Sequence, residues 1–236
     1  MDRYFFNPYT FIMLIILFGI FLLIVPLIFL SIIGAAFLKL GFSWREVLTL
    51  LFLTLIGSFI NIPILTVKGE PLILVHEEIP FFGFFYRTHE ATPTTTIAIN
   101  VGGAVLPIGI SSYLVYNAWI MLQQPSIVFF SFLGIAVVTF IVKVIARPVK
   151  GIGIVTPFFV PPLTAFTCGI LLSIGTGEPL AAAIIAYVSG TIGTLLGADI
   201  ANLHRIKEIG APLVSIGGAG TFDGIFLTGV IAAFLA

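Results

Sequence analysis

The sequence predicts an all-α integral membrane protein with about seven transmembrane helices, several of them interrupted by glycine or proline. Three observations lead there. Hydrophobic residues make up 59% of the 236 and charged residues only 8%, against about 25% charged in a soluble domain. Seven apolar stretches approach or exceed the roughly 20 residues that cross a bilayer as helix. The few charges also divide cleanly between the two sides of a seven-span arrangement.

The first span runs from about Thr10 to Leu38. It is longer than a bilayer requires, which predicts tilt or a kink near Pro26. It is also too long, and too poor in flanking charge, for a cleaved signal peptide. The second covers Trp44 to Leu65, the third Thr96 to Tyr116 and the fourth Ile127 to Ala146. The fifth, Ile152 to Ile174, carries Pro157, Pro161 and Pro162, each of which removes a backbone donor. The sixth runs from Pro179 to Asn202 and the seventh from Pro212 to Ala236.

Arg3, Lys68, Arg87, Lys143, Arg147, Lys150, Arg205 and Lys207 fall on one side of this arrangement, and only Lys39 and Arg45 on the other. The positive-inside rule then puts the N-terminus in the cytoplasm and the C-terminus outside, in a multi-pass protein of the cell membrane. Residues 1–236 read as a single polytopic domain with one long cytoplasmic loop, 67–95. That loop mixes His76, Glu77, Glu78, His89 and Glu90 with the aromatic run Phe81 to Tyr86, except for Gly83. It suits an interfacial segment, or a hairpin beginning in the alternation of Pro71 to Val75.

Ten Lys and Arg spread over the whole chain exclude a nucleic-acid surface. Cys168 alone cannot form a disulfide framework. The histidines and glutamates of the loop lack the spacing of a helical zinc motif, so neither a metal nor a cofactor is expected. The expected partners are the lipid bilayer and either a transmembrane peptide or a small ion or solute. Nothing in the sequence sets the oligomeric state.

Asp199 and Asp223 are the acids placed inside apolar stretches, each among glycines and small residues. A carboxylate at membrane depth is costly unless it meets a cavity, a partner or an ion, which makes both candidate site residues. Two such acids sharing one proton suit an intramembrane hydrolase that activates water against a peptide carbonyl. Helix from Pro212 onward would set Asp223 roughly 15 Å deeper than the start of its span, unless glycines unwind that start.

A second reading uses the glycines. Ile99-Asn100-Val101-Gly102-Gly103-Ala104 aligns with Val214-Ser215-Ile216-Gly217-Gly218-Ala219. Paired glycine-interrupted spans point to a discontinuous-helix transport site, here as a parallel repeat. Asn100, Thr191, Thr194, Ser215 and Thr221 are its neutral ligand candidates, with Gly102, Gly103, Gly217, Gly218 and Gly220 lining the site. It predicts that spans three and seven both break at their Gly-Gly pairs and face one cavity. A third reading treats Gly190, Gly193 and Gly197 as small-residue seams for close helix packing, in a noncatalytic membrane factor.

The Asn100–Ala104 motif, the Asp199 segment and Gly217–Phe226 resemble an uncharacterised family of bacterial and archaeal multi-spanning membrane proteins, a domain of unknown function. That resemblance implies a membrane location and carries no activity. Phe222-Asp223 and Gly197-Ala198-Asp199 are more weakly similar to the aspartate motifs of presenilin- and signal-peptide-peptidase-type proteases, which implies catalytic roles for Asp199 and Asp223. The order of the two motifs is reversed here. Ala198 stands where those proteases have glycine, and their Pro-Ala-Leu element is missing.

Overall fold

Apolarity alone does not distinguish helix from buried strand, and four of the seven expected spans contain both. The computed structural model describes residues 8–68, 72–78, 85–91, 94–149, 153–208, 211–218 and 224–236. Its seven α-helices are α1 (Pro8–Lys39), α2 (Trp44–Gly57), α3 (Leu106–Ile120), α4 (Pro125–Ile145), α5 (Val160–Ser173), α6 (Ala181–Thr194) and α7 (Gly224–Leu235). Among the described residues, four helical segments are long and apolar enough to cross a membrane: Tyr9–Lys39, Val101–Ile120, Pro125–Ile145 and Ala181–Ile206. These segments and their apolar outer faces fit a lipid environment.

The described residues are mostly helical, as expected, but they also hold seven strands, so the fold is not all-α. β1 (Asn61–Lys68) follows α2 where a helix to Leu65 is expected, and β4 (Thr94–Asn100) opens the third stretch. β6 (Gly153–Val155) opens the fifth and β7 (Leu213–Ile216) the seventh; β6 pairs with β5 (Arg147–Val149). The cause lies in the side chains. Runs such as Thr94-Thr95-Thr96-Ile97 are β-branched and stiff at χ1, which favours a pleated chain over a helix. In the loop, β2 (Leu72–Glu78) and β3 (Phe85–Ala91) form an antiparallel hairpin. Phe81 to Phe84 of its aromatic run lie outside the described residues.

α6 is the axis of the bundle, buried along nearly its whole length. Small residues let its neighbours approach. A Cβ on Gly193 would lie 2.6 Å from Val138 Cβ, and one on Gly197 2.6 Å from the Thr139 carbonyl oxygen. A Cβ on Gly134 would sit 2.8 Å from Ser189 Cβ. Ser189, Gly193 and Gly197 thus form a small-xxx-small seam against α4, with the two helices parallel. On another face, Gly169 of α5 meets Ala182 and Ala186. Gly193 and Gly197 therefore serve close helix packing.

Contacts also fix the ends of the bundle. Lys39 Nζ donates to the Phe234 carbonyl oxygen at 2.7 Å, so the C-terminal ends of α1 and α7 lie together. Gly41 faces Leu180 at the start of α6, at the same end. The sheet β1-β4-β7 occupies the opposite end. Lys143, Arg147 and Arg205 follow the helices to that sheet end, whereas Lys39 and Arg45 stay at the other. α1 is buried only from Ile33 onward; Tyr9 to Leu30 is almost entirely bare.

Candidate functional site

Helix length creates the first feature of the site. α4 has 21 residues and α5 and α7 have 14 and 12, or about 32, 21 and 18 Å at 1.5 Å per residue. α5 and α7 reach the far end of the bundle, so both stop short of the sheet end. A cavity of about 190 Å³ lies at their starts, lined by Ile154, Thr156, Pro161, Pro162, Gly224 and Thr228 among others. Contrary to the expectation from sequence, Pro161 and Pro162 do not break a helix; they stand in the first turn of α5, where a missing N–H costs nothing.

The second feature is the repeat. β4 and β7 are parallel neighbours, pairing Ala98 with Ser215 and Ile99 with Ile216. The sequence alignment instead matches Asn100 with Ser215, so the two units sit two residues out of step. Each strand runs into its Gly-Gly pair. After β4 comes a π-helical turn, Val101–Val105, leading into α3. After β7 the chain turns at Gly217, with φ +69°. Span seven is therefore not helical from Pro212.

The two breaks touch. A Cβ on Gly217 would fall 2.6 Å from the Gly103 carbonyl carbon and 2.7 Å from Ala104 N. Gly102 packs as closely on α2, against the Thr54 carbonyl oxygen and Ser58 N. No other residue type leaves room for three backbones here.

Asn100 holds the junction. It is fully buried; its Oδ1 accepts from Gly103 N–H at 2.8 Å, and its Nδ2 donates to the Ser58 carbonyl oxygen at 2.8 Å and to Asn61 Oδ1 at 3.0 Å. Ser215 Oγ donates to the same Asn61 Oδ1 at 2.5 Å. Asn61 was not among the residues expected from sequence. Its signal was faint: a polar side chain just after Gly57-Ser58, at a helix-to-strand junction that hydropathy reads as unbroken span.

Asp199 ends a second π-helical turn, Leu195–Asp199, which closes α6. Such turns recur at functional sites. Asp199 is half-buried. Asn202 Nδ2 donates to the Gly197 and Ala198 carbonyl oxygens, satisfying acceptors that the turn frees. Leu195 packs in one buried cluster with Ala104, Ile216 and Ile225, so this turn, both glycine breaks and the start of α7 surround one small core.

The structure thus brings Asn100, Gly102, Gly103, Ser215 and Gly217 together. Gly218 follows in the turn, its N–H donating to the Ser215 carbonyl oxygen. Thr191 and Thr194 are buried on α6, where Thr191 faces Gly229 of α7. Gly220, Thr221 and Asp223 lie outside the described residues. No group of three or more His, Cys, Asp or Glu side chains placed to hold a metal occurs among the described residues.

Residues 55–235 match a family described as a protein of unknown function, DUF1614. The chain belongs to that family. The match begins in the last turn of α2 and takes in the DUF1614 sheet, both glycine breaks and α3 to α7, leaving out α1. It agrees with the resemblance to an uncharacterised membrane family. No curated protein and no solved structure matches the chain, so the likeness to aspartyl proteases gains no support.

Proposed function

We propose that this DUF1614 protein is a multi-pass cell-membrane transporter or channel for a small solute or ion. It would have about seven membrane-inserted helices and its sheet end in the cytoplasm. One observation carries the reading: two parallel strand–glycine–helix breaks meet at Gly103 and Gly217, and the second leads to a helix whose first residue, Gly224, lines a cavity. Non-helical backbone at membrane depth is tolerated where it is buried in protein or lines a water-filled space. Asp223, next in sequence to Gly224, would supply the charge for a cation or coupling proton. Thr156 and Thr228 would supply neutral oxygens.

The test is ion and proton flux in liposomes holding purified protein, followed with internal dyes. Asp223→Asn removes the charge with little change in side-chain volume. Flux in wild type that falls at least about tenfold in a folded Asp223→Asn protein supports the reading. Flux unchanged by the substitution, or absent for every ion and solute offered to folded wild type, removes it.

A second reading is an intramembrane aspartyl hydrolase. What favours it is that Leu195, four residues before Asp199, and Ile225, two after Asp223, share one buried cluster. Both acids would then act on a transmembrane peptide, one protonated and one ionised. Cleavage of such peptides in lipid, lost in both Asp199→Asn and Asp223→Asn, is the expected result. Cleavage that survives either substitution would sink it.

A further inference from the structure

The hydroxyl side chains of the helices fall into two groups. Ser31, Thr49, Thr54, Ser112, Thr164 and Thr167 each donate to the carbonyl oxygen four residues earlier, the usual way to satisfy such a group inside a helix. Ser111 on α3 and Ser131 and Thr139 on α4 do not, and nor do Thr191 and Thr194 on α6. Thr191 and Thr194 are both at least nine-tenths buried, and neither hydroxyl has a hydrogen-bond partner among the described residues. Tyr187, one turn before Thr191 and fully buried, has its hydroxyl beside Thr191 but makes no well-formed hydrogen bond among the described residues.

Positions 187, 191 and 194 recur at helical spacing and so share one face of α6. That face meets α7 at Gly229, whose missing side chain leaves space filled by Thr191 Oγ1 and the Tyr187 ring. The residue before it, Thr228, packs on α6 at Gly190 and lines the cavity at the start of α7. Thr228 is therefore the residue through which the cavity wall meets α6. A buried polar group without a partner costs about 1–3 kcal/mol, and three on one face of a central helix call for a common partner.

We propose that Tyr187, Thr191, Thr194 and Thr228 form a water-holding seam between α6 and α7 that continues the cavity into the bundle. Its ligand is water, or a small neutral or singly charged solute that hydroxyl oxygens can coordinate. The seam rests on the transport reading for its purpose, but its hydration is testable without transport.

The experiment is cysteine accessibility in vesicles, on a Cys168→Ala background. Thr191→Cys and Thr194→Cys are exposed to a small hydrophilic thiol reagent, with Ile185→Cys, on the same helix and fully buried, as the dry control. Labelling at 191 and 194 at least tenfold faster than at 185 is expected, whether or not flux is found. Equal, slow labelling at all three overturns the seam, even if transport is real. Thr191→Val and Thr194→Val guard against misfolded cysteine variants. A melting temperature raised by valine, with flux unchanged, would mean dry orphan hydroxyls and would also overturn the proposal.

Discussion

Gly217 and Gly103 meet backbone to backbone, joining two chain breaks that lie more than a hundred residues apart in sequence. Gly217 also holds φ at +69°. Gly217→Ala should therefore cost about 2–4 kcal/mol, combining left-handed backbone strain with overpacking. Thermal unfolding in detergent measures it. Gly109→Ala is the control: a Cβ there meets nothing within 4 Å inside α3. It should stabilise by up to about 1 kcal/mol, since alanine is the better helix former.

Asn100 and Asn61 share a hydrogen bond but differ in exposure. Asn100→Ala leaves the buried Gly103 N–H and the Ser58 carbonyl oxygen without their partner, at about 1–3 kcal/mol for such unsatisfied groups. Asn61 is exposed, so water can replace it, and Asn61→Ala should cost about 1 kcal/mol or less. Equal losses in chemical denaturation would mean that Asn100 does not organise the junction.

The α4–α6 seam predicts a graded response. Gly193→Ala and Gly197→Ala each place a methyl group 2.6 Å from an atom of α4, and each should cost about 1–3 kcal/mol. Gly197→Ala also shifts the turn that carries Asp199. It should disturb any activity at the site more than Gly193→Ala does at equal loss of stability. Activity measured against melting temperature separates the two effects.

Lys39 caps α7 from α1. Its ammonium donates to the Phe234 carbonyl oxygen and lies 5.8 Å from the centre of the Phe234 ring. Lys39→Met keeps the stem and removes the charge, and should cost about 1 kcal/mol, the usual scale of a cation at a helix C-terminus. Its effect on flux should be small, because the cavity lies at the other end of α7. A large loss of flux at normal stability would show that this end also belongs to the pathway.

The sequence by itself determined that the chain is made of long apolar stretches with few charges, and the apolar helices fit a membrane protein. Composition, the long apolar stretches and the division of Lys and Arg needed no folding to read, because each is a count against a membrane's thickness or charge. It also pointed to the glycine breaks, since Asn100-Val101-Gly102-Gly103 and Ser215-Ile216-Gly217-Gly218 repeat visibly. Only the tertiary structure decided that the segments before those glycines are strands, paired in parallel and two residues out of step. Hydropathy measures how apolar a stretch is, and a β-branched run beside a partner strand is as apolar as a helix. Asn61 was hidden for the same reason: its value comes from Asn100 and Ser215, 39 and 154 residues away. The cavity was equally invisible, because it exists where α5 and α7 end earlier than α4. That mismatch is a property of helices side by side, and no single stretch of sequence contains it.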